Sequence, residues 1–438
     1  SASTEVIGKV SYRRNLVAQQ SGRCQAGYVY AASGVTESTT DVIFSGHNLI
    51  AEAGAILAES QRFQRKSQLI VADIDLDKLA FDRRQQASFA DAAHYGFTSP
   101  IDYRRVTLEL KPRVWKSNDT LKRFIAPHPF VPDASSDRDE RCAEVFHLQT
   151  AGLAKRLETV GRVPLTLGVS GGLDSTLALL VACRTLDLLE WPHSNLTGYI
   201  MPGFGSTEAT RLLAHQLLEQ LGVQVSEIDI RMLCLEEMKQ LGHHPFGLDL
   251  TDLDVPAFQE KLLDIPKERK NDLVFENVQA RRRTALLMNG GFVIGTGDLS
   301  ELALGWCTYN ADHMSMYNPN VGVPKTLVRY LIRWVADTQY QGQPLQKHLH
   351  QVADQVISPE LLPTGPAGEV QSTEASIGPY ELQDFYLYLF LRFGFSPEKL
   401  LFLASQARFD VPYTEAERKH WLQVFLRRFF TNQFKRSC

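Results

Sequence analysis

Short apolar runs and helical repeats alternate along most of the chain, and their order predicts two regions of different character. Between about Tyr28 and Asp77 the runs Tyr28-Val29-Tyr30, Asp41-Val42-Ile43-Phe44, Leu49-Ile50 and Ala55-Ile56-Leu57 are broken by turn residues such as Ser45-Gly46-His47-Asn48, a β-rich pattern. A helix-like stretch, Tyr12 to Cys24, precedes them, and Leu69 to Ile74 closes the segment. Fewer than about 100 residues of mixed hairpins without cystines make a poor independent core, so residues 1–95 read as part of a larger domain. Over residues 96–138 periodicity is lost, while prolines and charges gather as in Ala126-Pro127-His128-Pro129-Phe130-Val131-Pro132-Asp133; this reads as a linker.

The remaining residues, 139–438, alternate strands with helices. A helix around Cys142 to Val160 leads to a strand at Pro164 to Val169 and a helix at Thr176 to Thr185. There follow a strand at Thr197 to Met201, a helix at Thr207 to Leu221 with Leu212, Leu213, Leu217 and Leu218 at helical spacing, and a strand at Val223 to Ile230. A helix at Phe275 to Met288 feeds a strand at Phe292 to Gly295, and beyond Leu327 the chain reads helical, including Tyr380 to Phe395 and Thr414 to Phe430. Strands regularly separated by helices imply an α/β fold with a parallel, doubly wound sheet.

The first strand of this region runs into Gly168-Val169-Ser170-Gly171-Gly172-Leu173-Asp174-Ser175. Glycines there let backbone N–H groups approach a phosphate, Ser170 and Ser175 add hydroxyl donors, and a helix N-terminus adds the positive end of its dipole. Asp174 repels a phosphate unless a cation bridges them, so Mg²⁺ is implied. The loop is neither G-x-x-x-x-G-K-[ST] nor G-x-G-x-x-G, which argues against P-loop ATPases and dehydrogenases.

Composition narrows the partners. The 438 residues carry a net charge of −4 and are 44% hydrophobic, so nothing draws the chain generally to nucleic acid, although Arg281-Arg282-Arg283 and Lys435-Arg436 offer local phosphate contacts. No apolar run approaches the roughly 18 residues needed to span a bilayer. The 6 cysteines are scattered without C-x-x-C spacing, as in a reduced, cytoplasmic protein. The first residues, Ser-Ala-Ser-Thr-Glu, hold no initiator Met and no signal-peptide pattern, an expectation that the start of a longer protein lies upstream.

Ser170-Gly171-Gly172-Leu173-Asp174-Ser175 after an apolar strand resembles the signature of the ATP pyrophosphatases, which split ATP into AMP and pyrophosphate while activating an oxygen. Three further runs, Phe275 to Arg283, Gly295 to Gly305, and Asp312-His313 followed by Val323-Pro324-Lys325-Thr326, are similar to motifs of the NAD⁺ synthetases in the same order. So are Met201-Pro202-Gly203-Phe204 and Gln433-Phe434-Lys435-Arg436-Ser437. The resemblance implies that deamido-NAD⁺ is adenylated by ATP and then amidated by ammonia. It implies ATP contacts from the loop 168–175, Thr296 and Lys325, metal ligation by Asp174 and Glu301, and deamido-NAD⁺ contacts from Asn277, Arg283, Glu301, Trp306, Cys307, Thr308, Tyr309 and Lys435. The same resemblance implies that Lys325 stabilises the leaving pyrophosphate and that Asp312 orients or deprotonates the nitrogen nucleophile. Cys307 has no neighbouring base in sequence and reads as a contact residue, His313 as structural, and Arg281 and Arg282 as a solvated helix face.

Tyr12-Arg13-Arg14, Ala31-Ala32-Ser33-Gly34, Glu37-Ser38-Thr39-Thr40-Asp41 and Ser45-Gly46 resemble the C-terminal half of the nitrilase-like glutaminase fused to long-form NAD⁺ synthetases. That resemblance implies glutamine as the nitrogen source, an ammonia channel and a homo-oligomer, with the Glu, Lys and Cys triad upstream of Ser1; Cys24 reads as a packed thiol. The junction Met288-Asn289-Gly290-Gly291 is about five residues shorter than the family places between helix and strand, as if residues were absent there. Two rivals stay open: another member of the ATP pyrophosphatase group, such as a tRNA-thiolating ligase or GMP synthetase, and a catalytically silent nucleotide-binding subunit.

Overall fold

A computed structural model describes residues 1–95, 104, 106–109, 120–131, 135–266, 271–355, 361–362 and 373–436. Most of the expected linker, 96–138, and Ser437 of the C-terminal motif lie outside the described residues. Two compact units result: residues 1–127 with 388–412, and residues 128–387 with 413–438.

In the first unit, helix α1 (Lys9–Cys24) packs Val17 on a three-stranded antiparallel sheet of order β1 (Gly27–Tyr30), β2 (Leu49–Glu52) and β3 (Ala55–Glu59). Ala53 and Gly54 turn the β2–β3 hairpin with φ of 46° and 92°, the left-handed pair that suits the twist of a tight hairpin. The expected strand at Asp41 to Phe44 does not form, nor does the closing run Leu69 to Ile74 pair. Instead Phe44 N–H donates to Ser38 Oγ at 3.0 Å.

Helices α2 (Leu76–Gln85) and α3 (Ala87–Tyr95) follow. Residues from far along the chain join them: Lys399 pairs with Asp75 at 2.5 Å and Asp77 at 2.9 Å, and Arg392 with Asp82 at 2.8 Å. These ion pairs show why the compact unit reaches past residue 95 and reclaims 388–412, a pairing without any local signal.

The second unit is built on a four-stranded, wholly parallel sheet of order β6-β5-β4-β7, with β4 (Leu165–Gly168), β5 (Leu196–Ile200), β6 (Gln224–Glu227) and β7 (Phe292–Val293). Helix α4 (Ser135–Val160) precedes β4; α5 (Leu173–Leu188) and α6 (Glu208–Gln220) cross over to β5 and β6; α7 (Arg231–Gln240), α8 (Val255–Leu263) and α9 (Leu273–Gly290) lead to β7. Then come α10 (Leu299–Leu304), α11 (Lys325–Thr338), α12 (Pro344–Asp354), α13 (Thr373–Ile377), α14 (Tyr380–Phe393), α15 (Pro397–Gln406) and α16 (Glu415–Thr431), the division between units falling within α14.

Several helix starts have a local cause. Thr207 caps α6, Asp272 accepts from the N–H groups of Val274 and Phe275 at the head of α9, and Thr414 with Glu417 forms a capping box on α16. The short junction closes without a loop: α9 runs to Gly290, and Gly291 passes so close to Pro164 that a Cβ there would lie 2.4 Å from the Pro164 carbonyl oxygen.

Leu165 and Leu167 of β4 are buried beneath α5, whose Leu177, Leu179 and Leu180 are shut off on several sides because α4 and α11 cover it in turn. Helix α11 shows the pattern most plainly, with Leu327, Val328, Leu331, Ile332 and Val335 buried at spacings of three and four. Leu331, fully enclosed, reads this layer: Leu331→Ala is expected to cost about 2–5 kcal/mol in urea unfolding. A loss well below about 1 kcal/mol contradicts the packing described. On the other face Phe204, Phe258 and Phe275 form a second core with α7 to α9.

The sheet order reverses between β4 and β7, and in an open parallel sheet that reversal opens a crevice at the strands' carboxyl ends. The loops after β4 and β7 face each other there.

Candidate active site

The bend after β4 turns tightly into α5. Gly171 has φ +83°, and a Cβ on it would lie 2.5 Å from the Thr210 carbonyl oxygen, so only glycine fits this turn against α6. Gly172 N–H donates to Ser170 Oγ at 3.1 Å, and the hydroxyls of Ser170 and Ser175 lie 3.2 Å apart. Together they ring the N-terminus of α5, a 16-residue helix whose dipole favours an anion at that end.

Across the crevice, Asp298 caps α10 by accepting the Glu301 N–H at 2.7 Å and is fully buried. The cap places Glu301 one turn along the helix. Pro324 starts α11 so that Lys325 is its first residue. The Lys325 ammonium, 2% exposed, lies 2.5 Å from Asp174, 2.9 Å from Asp298 and 2.9 Å from Glu301. Toward Asp298 the approach is close enough for an ion pair but off the line of a hydrogen bond, which leaves Asp298 Oδ2, like Asp174 Oδ1, buried without a hydrogen-bond partner among the described residues.

Burial first, and the neighbouring carboxylates after it, push Glu301 up to about 7 and Asp298 well above the usual carboxylate range. Burial works against the Lys325 ammonium, yet Asp174, Asp298 and Glu301 outweigh it and hold the group firmly protonated. Three carboxylates around one ammonium are short of positive charge. Their oxygens lie within 4.8 Å of one another, and all-oxygen donors in that arrangement with two unpartnered lone-pair sites fit a hard divalent cation. Asp298 thus joins Asp174 and Glu301 as a potential ligand. The sequence reading did not single it out within the run Gly295 to Gly305.

Asn320, fully buried, ties the two loops together: its Nδ2 donates to the Asp174 carbonyl at 2.9 Å and to the Thr296 carbonyl at 3.1 Å, while Gln149 holds its Oδ1 at 3.0 Å. A Cβ on Gly295 would meet Ser315 Oγ at 2.5 Å, so the Gly295-Thr296-Gly297 turn is pressed tightly against the segment that carries Asn320.

These groups open into a cavity of about 820 Å³. Of the residues picked out in the sequence, Gly168, Val169, Ser170, Gly172, Leu173, Asp174, Ser175, Asn277, Arg283, Thr296, Glu301, Trp306, Cys307, Thr308, Asp312, Lys325 and Lys435 line it. Gly171 does not, being turned against α6, and neither does Tyr309. Tyr309 stacks on His313 with centroids 6.1 Å apart and packs beside Phe434 at 5.6 Å; those rings hold it on the outer side of its loop.

Lys435 reaches back from the C-terminus and donates to the carbonyls of Gly305 at 3.1 Å and Cys307 at 2.6 Å. Arg283 donates to the Met201 carbonyl at 3.1 Å. Asp312 accepts the Thr308 N–H at 2.7 Å; protein surrounds it, and this burial raises its pKa, although the cavity still gives water access to its side chain. His313 faces the Thr308 carbonyl through Nδ1 at 3.2 Å, and Arg282 is engaged by Glu237. Sequence reasoning missed Arg428, whose guanidinium lies 5.0 Å over the Trp306 ring, and Tyr380 beside Lys325; both line the cavity. They arrive from helices carrying no motif.

The NAD synthase family model matches residues 145–402. The chain is 41% identical to the glutamine-dependent NAD(+) synthetase of Mycobacterium leprae and 40% identical to that of Mycobacterium bovis, each match covering 100% of the chain and, respectively, 65% and 64% of the relative. It therefore spans about 65% of the length of these curated relatives. The crystal structure of a glutamine-dependent NAD(+) synthetase from Cytophaga hutchinsonii aligns with TM-score 0.49 and 19% identity, covering 99% of this chain and 63% of that one. With the family model matching more than half of the chain, including the β4 bend and the carboxylate cluster around Lys325, this chain belongs to the NAD synthase family.

Proposed function

We propose that this protein makes NAD⁺ from deamido-NAD⁺, using ATP to activate the nicotinate carboxylate and ammonia to amidate it. The observation that carries this reading is the meeting of an anion cradle at the α5 N-terminus with three carboxylates and a buried lysine at the sheet's switch point. ATP lies with its phosphates at residues 168–175 (Gly171 shaping the turn), Thr296 and Lys325. A carboxylate oxygen of deamido-NAD⁺ forms a bond to the α-phosphorus as the bond to pyrophosphate breaks. Ammonia then attacks the acyl carbon, and AMP leaves with the electron pair of the broken C–O bond.

Lys325 and the α5 N-terminal N–H groups bear on the charge that grows on pyrophosphate. Asp174, Asp298 and Glu301 would hold Mg²⁺, which when bound supplies further neutralisation of phosphate charge. Asn277, Arg283, Trp306, Cys307, Thr308 and Lys435 form the wall offered to deamido-NAD⁺, with Trp306 giving a flat face to an aromatic ring. Glu301 serves that substrate as well as the metal. Tyr309 supports the loop from behind. Asp312, reached by water from the cavity but made more basic than usual by desolvation from the surrounding protein, accepts a proton from the nitrogen nucleophile.

Residues 1–95 are read as the C-terminal part of a nitrilase-like glutaminase that supplies ammonia through a channel, with 96–138 as linker and 139–438 as the synthetase. A cytoplasmic homo-oligomer completes the reading. No helix among the described residues is long and apolar enough to cross a membrane. Light scattering checks assembly, a monomer at micromolar concentration contradicting it. The reaction is tested by incubating the protein with ATP, magnesium, ammonium chloride and deamido-NAD⁺. The expected result is NAD⁺, AMP and pyrophosphate in equal amounts; ADP in place of AMP, or AMP that forms without deamido-NAD⁺, overturns it.

A further inference from the structure

The buried carboxylate of Asp384 has no place in the reaction above, yet it stands directly behind Lys325. Asp384, 1% exposed on α14, accepts the Ser300 hydroxyl at 2.5 Å, the Thr326 N–H at 3.0 Å and the Thr326 hydroxyl at 2.7 Å. Ser300 Oγ in turn accepts the Lys325 N–H at 2.9 Å. One carboxylate therefore holds the first two backbone N–H groups of α11, one directly and one through a hydroxyl. Those are orphan donors that a helix start must satisfy, and here Pro324 has no side chain to cap them.

Ser300 also neighbours Glu301 on α10, so the same carboxylate fixes the helix that carries one of the lysine's partners. One turn earlier on α14, the Tyr380 ring lies 5.4 Å from the Lys325 ammonium. The carboxylate sits at the positive end of α11 and faces Lys325, which favours its charged form, while burial acts against it and raises its pKa on balance.

We propose that Asp384 is a positioning residue: through Ser300 and Thr326 it sets where α11 begins, and so where the Lys325 ammonium stands among Asp174, Asp298 and Glu301. The lysine side chain is long and flexible, and its three partners come from two other elements. Without a fixed base the ammonium has no single place to stand. A displacement of about 1 Å at such a point is enough for roughly a hundredfold loss of rate.

This rests on the reaction proposed above for its kinetic arm, and a second arm is independent of it. In Asp384→Asn, a side chain of the same shape loses one acceptor oxygen; in Ser300→Ala, only the relay is cut. At a temperature well below melting, kcat is expected to fall about ten- to hundredfold in each variant, with KM for deamido-NAD⁺ within about twofold of the original. The double variant should be no worse than Asp384→Asn alone, since both changes cut one connection. Separately, pulse acetylation read by mass spectrometry should label Lys325 about tenfold faster in each variant, other lysines keeping their rates.

Unchanged kcat and unchanged Lys325 labelling in both variants, with only a lowered melting temperature, overturn the proposal. So do fully additive losses. If the unaltered protein forms no NAD⁺, the reaction fails as assigned, and faster labelling of Lys325 in the variants still supports the positioning role.

Discussion

Lys325→Met lowers kcat by about 10²–10³, the size of effect seen when one fixed stabilising group is withdrawn from a developing negative charge. The same change costs the folded state about 3–5 kcal/mol, because the ammonium it removes is 2% exposed and is the countercharge of three carboxylates. Methionine fills much of the volume but leaves those carboxylates facing one another. Urea unfolding with and without magnesium separates the two roles. With magnesium present the stability loss should shrink, since a divalent cation among Asp174, Asp298 and Glu301 restores the missing positive charge. A loss that magnesium leaves untouched contradicts the cluster as a cation site.

Asp174→Asn is expected to behave in the opposite sense. Its side chain is 22% exposed and asparagine keeps its shape, so the fold loses little. Lys325 retains two carboxylates, and the loop stays tied by Asn320 through the residue's carbonyl, which the substitution spares. Turnover nevertheless falls by about 10²–10³, and the magnesium concentration for half-maximal activity rises at least tenfold, because one of the charged oxygens has gone. Isothermal titration with magnesium reads the second effect without turnover. Equal metal affinity in the variant and the original protein removes Asp174 from the ligand set. Asp298→Asn makes a useful contrast, since Asp298 also caps α10 through the Glu301 N–H and should lose stability as well as metal affinity.

These contrasts show where the sequence was informative. The parallel sheet was legible because strand and helix periods alternate cleanly from Leu165 to Val293, and the Ser170 to Ser175 bend could be read as an anion site from local chemistry alone. Helix ends carrying Thr207 or Thr414 were equally plain. What escaped notice depends on pairing across long stretches of chain. Asp298 carries no mark of its own within Gly295 to Gly305 until folding brings it to the Lys325 ammonium. Asn320, Asp384 and Arg428 act only through carbonyls, helix starts and a ring far away in sequence, and no local pattern marks such partners.

The amino-terminal region failed in a different way. Asp41 to Phe44 has the composition of a strand, but its backbone groups are taken up by the preceding turn, Phe44 N–H by Ser38 Oγ and the Val42 carbonyl by the Thr39 N–H, and strand propensity yields to such context. Tyr309 was grouped with Trp306 because the resemblance implied the whole run Trp306-Cys307-Thr308-Tyr309 as deamido-NAD⁺ contacts. The turn after Gly305, at φ +60°, sends Trp306 to the cavity under Arg428 and Tyr309 outward onto His313 and Phe434.

The most direct test of carboxylate activation at this site follows oxygen. Deamido-NAD⁺ labelled with oxygen-18 in its nicotinate carboxylate is turned over with ATP, magnesium and ammonia, and the products are weighed by mass spectrometry. One labelled oxygen per NAD⁺ should appear in the phosphoryl group of AMP, with none in pyrophosphate. Label found in pyrophosphate, or absent from AMP while NAD⁺ accumulates, contradicts attack of the carboxylate on the α-phosphorus.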